Sequence, residues 1–166
     1  MAKREPLSMA MNTRVLFVCM GNICRSPMAE AVFHHMVQEA GLADHIHTDS
    51  AGTGGWHAGE RPHPSTLAVL RRHGIDASGQ RARQVTINDF TQFDYIVAMD
   101  NDNLVDMARF HPEAHVRACL LLDYVPDVPV REVPDPYYNG RFEEVFNLVT
   151  VGGRGLLQHI RERERL

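Results

Sequence analysis

Residues 19–26, Cys-Met-Gly-Asn-Ile-Cys-Arg-Ser, hold two of the chain's three cysteines, a glycine and an arginine in one short span. These residue types suit the capture of an oxyanion. A loop that leaves a strand and enters a helix aims consecutive backbone N–H groups at one point, and the helix N-terminus adds to their field. Gly21 lets that backbone approach closely, and Asn22 tolerates a left-handed conformation. Arg25 adds a planar fork matched to the oxygens of a tetrahedral anion. No Gly-Lys-Ser/Thr follows, which excludes a nucleotide-type loop and leaves a hollow sized for one oxyanion. Cys19 stands where that anion would rest. The field that binds an anion also favours a thiolate, a nucleophile at neutral pH, and the Ser26 hydroxyl is placed to bond the sulfur. A bare Cys-x5-Arg pattern would equally fit small buried thiols at a strand end; here strand, glycine, asparagine, arginine, serine and helix start agree.

The flanking elements must position this loop. Arg14–Cys19 is a short β-branched and aromatic run, read as a buried strand. Ser26-Pro27 opens a helix, with Ser26 able to cap it, and the apolar positions that follow keep helical spacing up to Gly41. His45–Ala51 reads as a second strand. Gly52–Pro64 is a loop punctuated by glycine and proline that holds the only tryptophan, Trp56. A helix over Ser65–His73, a helical turn within Thr86–Phe93, a strand over Asp94–Met99, a helix over Asp100–Phe110 and a strand over Val116–Leu122 follow. Asp123–Pro136, with four prolines, is read as loop. Arg141–Arg163 closes the chain as a helix with a soft middle at Gly152–Gly155, since each interior glycine costs about 1 kcal/mol. Alternating strands and helices predict an α/β fold: one four-stranded parallel sheet with helices on both faces and the anion loop after the first strand. Ligands of such sheets bind beyond the carboxyl ends of the strands, where Cys19–Arg25 lies.

Totals bound the partners. A chain of 166 residues suits one domain, residues 13–166, behind a polar extension, residues 1–12, expected to be disordered. A net charge of −4 offers no footprint for nucleic acid. No apolar run reaches membrane-spanning length, and the N-terminus is too polar for a signal-peptide core. Three cysteines fit a reducing compartment, the cytoplasm, better than a disulfide framework. Ten histidines show no metal spacing, so neither metal nor cofactor is implied. Cys119, in a predicted strand, reads as plain core. Nothing in the sequence speaks to oligomeric state.

Val-Cys-Met-Gly-Asn-Ile-Cys-Arg-Ser-Pro, residues 18–27, resembles the signature of the low-molecular-weight protein tyrosine phosphatases, with Met20 at a variable position. Ser-Ala-Gly-Thr-Gly-Gly-Trp at 50–56, Arg-Arg-His-Gly at 71–74, Phe-Asp-Tyr-Ile-Val-Ala-Met-Asp at 93–100 and Asp-Pro-Tyr-Tyr at 135–138 are similar to further family segments, in family order. The resemblance implies hydrolysis of a phosphotyrosine-containing protein through a cysteinyl-phosphate on Cys19. Met20, Gly21, Asn22, Ile23, Cys24, Ser26 and Arg25 would then hold the phosphate. It makes Asp135 the general acid and then base, although Pro134-Asp135-Pro136 alone reads as a turn. It places Trp56 and Tyr137 along the phenyl ring and leaves Tyr138 open. It joins Asn22, Ser26 and His73 in a network that fixes the loop, puts Asp100 behind the loop, and makes Cys24 a redox partner of Cys19. His73 reads equally as a helix C-cap residue, Asp100 as an N-cap and Cys24 as a packed thiol. Arsenate reduction on the same scaffold would need a further cysteine pair downstream, where only Cys119 lies. Phosphoarginine phosphatases resemble this loop but carry threonine where Ile23 stands. A non-catalytic phosphotyrosine-binding module would have lost the nucleophile or the acid.

Overall fold

Strand β1 (Thr13–Cys19) is the central element of the computed structural model, which describes residues 12–166. Val15, Leu16, Phe17 and Val18 are all fully buried, because the strand is covered on both faces. Strands β2 (Ile46–Gly52), β3 (Tyr95–Ala98) and β4 (Ala118–Leu120) join it in one parallel sheet of order β2-β1-β3-β4. The extension expected over residues 1–12 lies, apart from Asn12, outside the described residues.

Side-chain alternation along β1 divides the core. Val15 and Phe17 face helices α1 (Arg25–Glu39) and α7 (Phe142–Glu164), and the Phe17 and Phe33 rings meet edge to face at 5.5 Å. Helix α2 (Pro64–Arg72) packs on the same side. Leu16 and Val18 face the other layer: α3 (Asp89–Gln92), α4 (Asn101–Phe110) and α5 (Ala114–Arg117), through Phe90, Met107 and Ala114. The sheet is therefore flanked on both faces, as the pattern predicts. Its order reverses at β1: the chain goes to β2 on one side and later to β3 on the other. A crevice opens at that switch point, above the ends of β1 and β3.

Three expected elements are corrected. Val116–Leu122 is not one strand. Helix α5 runs to Arg117, β4 keeps three residues, and Leu121–Tyr124 winds into a 3₁₀ turn after Asp123 accepts the Leu120 N–H at 3.1 Å. Cys119 is only half-buried on this outer strand, and its thiol lies 3.1 Å from the Tyr124 hydroxyl. Asp123–Pro136 is loop only after that turn, and a short helix α6 (Pro136–Asn139) follows it.

Helix α7 is unbroken through Gly152–Gly155. The glycines are spaces for neighbours rather than a soft point. A Cβ on Gly152 would stand 2.5 Å from Leu121 Cγ, and one on Gly155 would stand 2.5 Å from the Tyr124 carbonyl oxygen. A Cβ on Gly153 would meet the end of Met36 at 3.3 Å. Gly155→Ala therefore gains about 1 kcal/mol of helix propensity but forces the rigid 3₁₀ backbone away, at a cost of about 1–3 kcal/mol. Urea unfolding should show Gly155→Ala less stable than wild type. Gly153→Ala, which meets only a flexible side chain, should be the more stable of the two. The reverse order would mean that α7 does not seat on the 3₁₀ turn in this way.

Candidate active site

The loop 20–24 rises directly from β1 and enters α1. Its shape is enforced from outside. Asn22 adopts φ 58°, which an asparagine tolerates better than a branched residue. Thr53 N–H donates to the Cys19 carbonyl, Gly54 N–H to the Met20 carbonyl and His63 N–H to the Ile23 carbonyl. Gly52 lets this strap pass so closely: a Cβ there would lie 2.8 Å from the Met20 carbonyl oxygen. Thr66 Oγ1 donates to the Cys24 carbonyl at 3.2 Å. Helix α1 starts at Arg25 with Cys24 as its N-cap residue. Ser26, expected as a cap, lies inside the first turn because its hydroxyl has another partner.

That partner is the sulfur. Cys19 Sγ lies 3.0 Å from Ser26 Oγ and accepts the Ser26 N–H at 3.4 Å. Asn22 Nδ2 donates to Ser26 Oγ at 2.7 Å and to Ser50 Oγ at 3.0 Å, while its oxygen accepts the Arg83 N–H at 3.0 Å. Ser50 in turn donates to Glu30 Oε1 at 2.7 Å. His73 is not part of this network. It caps α2, stacks on Phe146 with ring centres 3.8 Å apart, and points Nε2 at Glu143. The end of α2 belongs to the α7 interface, so the residue resembling a family position faces away from the loop. Ser50 and Glu30, on β2 and α1, complete the network instead.

Arg25 is buried. Its Nη1 donates to Asp100 Oδ2 at 2.5 Å and to the Val133 carbonyl at 3.0 Å. Its Nη2 stands 3.6 Å from Asp135 Oδ2. Burial alone would lower the guanidinium's pKa; Cys19, Asp100 and Asp135 outweigh it and raise the value. Asp100 performs both tasks read from the sequence. Its Oδ1 caps α4 by accepting the Asn103 N–H at 2.8 Å, and its other oxygen holds Arg25 behind the loop. Asp135 caps α6 through the Tyr137 N–H at 3.0 Å. The Asp-Pro pair was a legible signal for that helix start. Burial, then Cys19 and Asp135, push the Cys24 thiol up to about 12 against the opposing effect of Arg25.

These side chains line one cleft of about 330 Å³. Cys19, Met20, Gly21, Ile23, Cys24 and Arg25 form its inner part. Asp135, next to Arg25, and Trp56, His57, Tyr137 and Tyr138 complete the lining. Trp56 is 63% exposed, Tyr137 57% and Tyr138 77%, so these rings stand at the mouth and do not belong to the core. Sequence reading missed His57, Ser50, Glu30 and the Val133 carbonyl. His57 sits next to Trp56 in the same loop, a signal within reach; nothing local marked the others. Asn22 and Ser26 sit beneath the cleft, whereas His73 and Cys119 lie away from it.

The model of the family described as low molecular weight phosphotyrosine protein phosphatase matches residues 14–166. YfkJ of Bacillus subtilis, a low molecular weight protein-tyrosine-phosphatase, is 51% identical over 155 residues, spanning 92% of this chain and 98% of the relative. A low molecular weight phosphotyrosine protein phosphatase of Schizosaccharomyces pombe is 48% identical over 134 residues, 80% of this chain and 85% of the relative. The crystal structure of YfkJ is similar with a TM-score of 0.89 at 48% identity, covering 92% of this chain and 96% of that one. That of a Drosophila arginine phosphatase has a TM-score of 0.80 at 35% identity, over 89% and 97%. With the fold, the cysteine–arginine loop and full-length similarity in agreement, the chain belongs to the low molecular weight phosphotyrosine protein phosphatase family and is a phosphatase.

Proposed function

We propose that the chain hydrolyses phosphotyrosine on protein substrates by in-line attack of Cys19 on phosphorus. One observation carries this reading: Cys19, Arg25 and Asp135 line one cleft together with Trp56, Tyr137 and Tyr138, with Asp135 Oδ2 3.6 Å from Arg25 Nη2. The loop carbonyls of Cys19, Met20 and Ile23 are occupied by flanking N–H donors, which leaves the loop's own N–H groups for the phosphate oxygens. Phosphoryl transfer spreads charge over three equatorial oxygens, and these amides with Arg25 stabilise that charge. The P–O bond to tyrosine breaks as the S–P bond forms. Asp135 gives its proton to the leaving phenolate oxygen, which would otherwise leave against a phenol pKa of about 10. Asp135 then takes a proton from the water that attacks the cysteinyl-phosphate, releasing phosphate and the thiolate. The Ser26 hydroxyl bonds the sulfur as nucleophile and as leaving group.

The same cleft supports redox control. A peroxide oxidises Cys19 to the sulfenic acid, with one oxygen transferred and water or an alcohol released. The Cys24 thiol then displaces hydroxide, which leaves as water with the thiol proton, and a disulfide remains. Cytoplasmic residence follows from the cysteine usage and is part of this proposal. Among the described residues no helix is long and apolar enough to cross a membrane.

Phosphate release from a phosphotyrosine peptide, a phosphoserine peptide and phosphoarginine, under reducing conditions, tests the substrate class. Turnover on phosphotyrosine should exceed the others by at least about 10²-fold, because a phosphoserine side chain is too short to span the slot and Ile23 offers no polar contact to a guanidinium. Preferred turnover of phosphoarginine would assign the chain to the other substrate.

A further inference from the structure

Behind the loop, a line of hydrogen bonds runs from the reactive sulfur to a carboxyl group that the chemistry above does not use. With Cys19 as the thiolate, its proton directions are fixed by elimination. The Arg83 N–H can only donate, so the group it meets on Asn22 is the side-chain oxygen. Both hydrogens of the Asn22 amide nitrogen then point at serine oxygens, Ser26 at 2.7 Å and Ser50 at 3.0 Å. Each serine has one proton left to give. Ser50 gives its proton to Glu30 Oε1, and Ser26 gives its proton to Cys19 Sγ. The line thus ties Ser50, Asn22 and Ser26 between Glu30 at one end and the sulfur at the other.

Resting on the phosphatase reading, we propose that Glu30 is a positioning residue for Cys19, acting through Ser50, Asn22 and Ser26, and that its charge state sets how strongly the loop favours the thiolate and the bound phosphate. The neutral carboxyl still accepts the Ser50 hydroxyl through its carbonyl oxygen. The ionised carboxyl keeps that bond but adds a negative charge behind a cradle built for anions.

The surroundings make both states accessible. Asp49, on β2, and Arg83, on the segment before α3, are the charged groups that face Glu30. Arg83 is already committed to Asp49 at 3.0 and 3.2 Å and to Asp89 at 3.0 and 3.1 Å. Glu30 has no cation of its own in this set. Burial first, then Asp49, push its carboxyl up to about 7, against the Ser50 hydrogen bond and Arg83. The favourable, neutral state is thus lost as pH rises through about 7.

Wild type, Glu30→Gln and Glu30→Ala, all full-length, test this from about pH 5 to about pH 9. Two readouts are taken: kcat/KM on a phosphotyrosine peptide, and the rate of Cys19 alkylation by iodoacetamide, followed by mass spectrometry. Glutamine keeps an oxygen for Ser50 and carries no charge. The ratio of Glu30→Gln to wild type should therefore rise about fourfold from acid to alkaline pH in both readouts, the effect of one partly screened charge at loop distance. Glu30→Ala should be slower than Glu30→Gln at every pH, because it leaves the Ser50 hydroxyl without its acceptor. A Glu30→Gln to wild-type ratio that is flat with pH, or that falls, overturns the proposal even if Glu30→Ala does not fold. Absence of turnover with the alkylation shift intact would overturn the phosphatase reading and uphold the relay.

Discussion

Replacing Cys19 by serine should reduce phosphotyrosine turnover by at least about 10⁴-fold while the protein still folds and binds the phosphopeptide. The substitution is nearly isosteric in a site that is 2% exposed. It keeps the partner for the Ser26 hydroxyl and N–H. What it removes is the reaction. A hydroxyl is far less readily ionised than a thiol, and the loop holds no adjacent base that would take its proton in the attacking step. Steady-state phosphate release and peptide binding by fluorescence anisotropy, measured on the same preparation, separate the two effects. Cys119→Ser, a change at the outer strand β4, should turn over like wild type. Turnover by Cys19→Ser within about tenfold of wild type would place the nucleophile elsewhere.

Asp135→Asn should lower kcat on phosphotyrosine by about 10²–10³-fold and leave KM within about threefold. Asparagine is the informative substitution. Its side-chain oxygen can still accept the Tyr137 N–H that starts α6, so the loop keeps its cap. Its amide cannot protonate a leaving phenolate. It also removes a negative charge 3.6 Å from Arg25, which favours anion binding and works against any rise in KM. The defect should shrink on an aryl phosphate whose phenol is far more acidic, because such a leaving group needs no proton. An equal loss on both substrates, or a loss carried by KM, would make Asp135 a positioning group for Arg25 instead of the acid.

The loop's conformation was legible because residue types constrain it locally. A strand, a glycine, an asparagine that tolerates positive φ, an arginine and a serine follow one another within Val15–Ser26, and the strand–loop–helix turn is built from that one continuous segment. The layered fold was legible for the same reason, since period-2 burial and helical spacing are written into each element separately. The soft middle expected at Gly152–Gly155 is absent because a glycine's cost in an isolated helix says nothing about what fills the space beside it. Here Leu121 and the Tyr124 carbonyl need that space.

What the sequence by itself determined is the strand–loop–helix segment that carries Cys19 and Arg25, the order of its main strands and helices, and the sheet end at which the cleft opens. The tertiary structure alone decided which distant groups complete it. Arg25 is held by Asp100 and the Val133 carbonyl, 75 and 108 positions away. The loop network ends on Ser50 and Glu30 and not on His73. The reason is physical: a hydrogen bond is set by direction and distance after packing. His73, which has the side chain for the task, was carried to the α7 interface by the helix it ends. Glu30, unremarkable in the sequence, was turned onto Ser50 by α1 packing against β2.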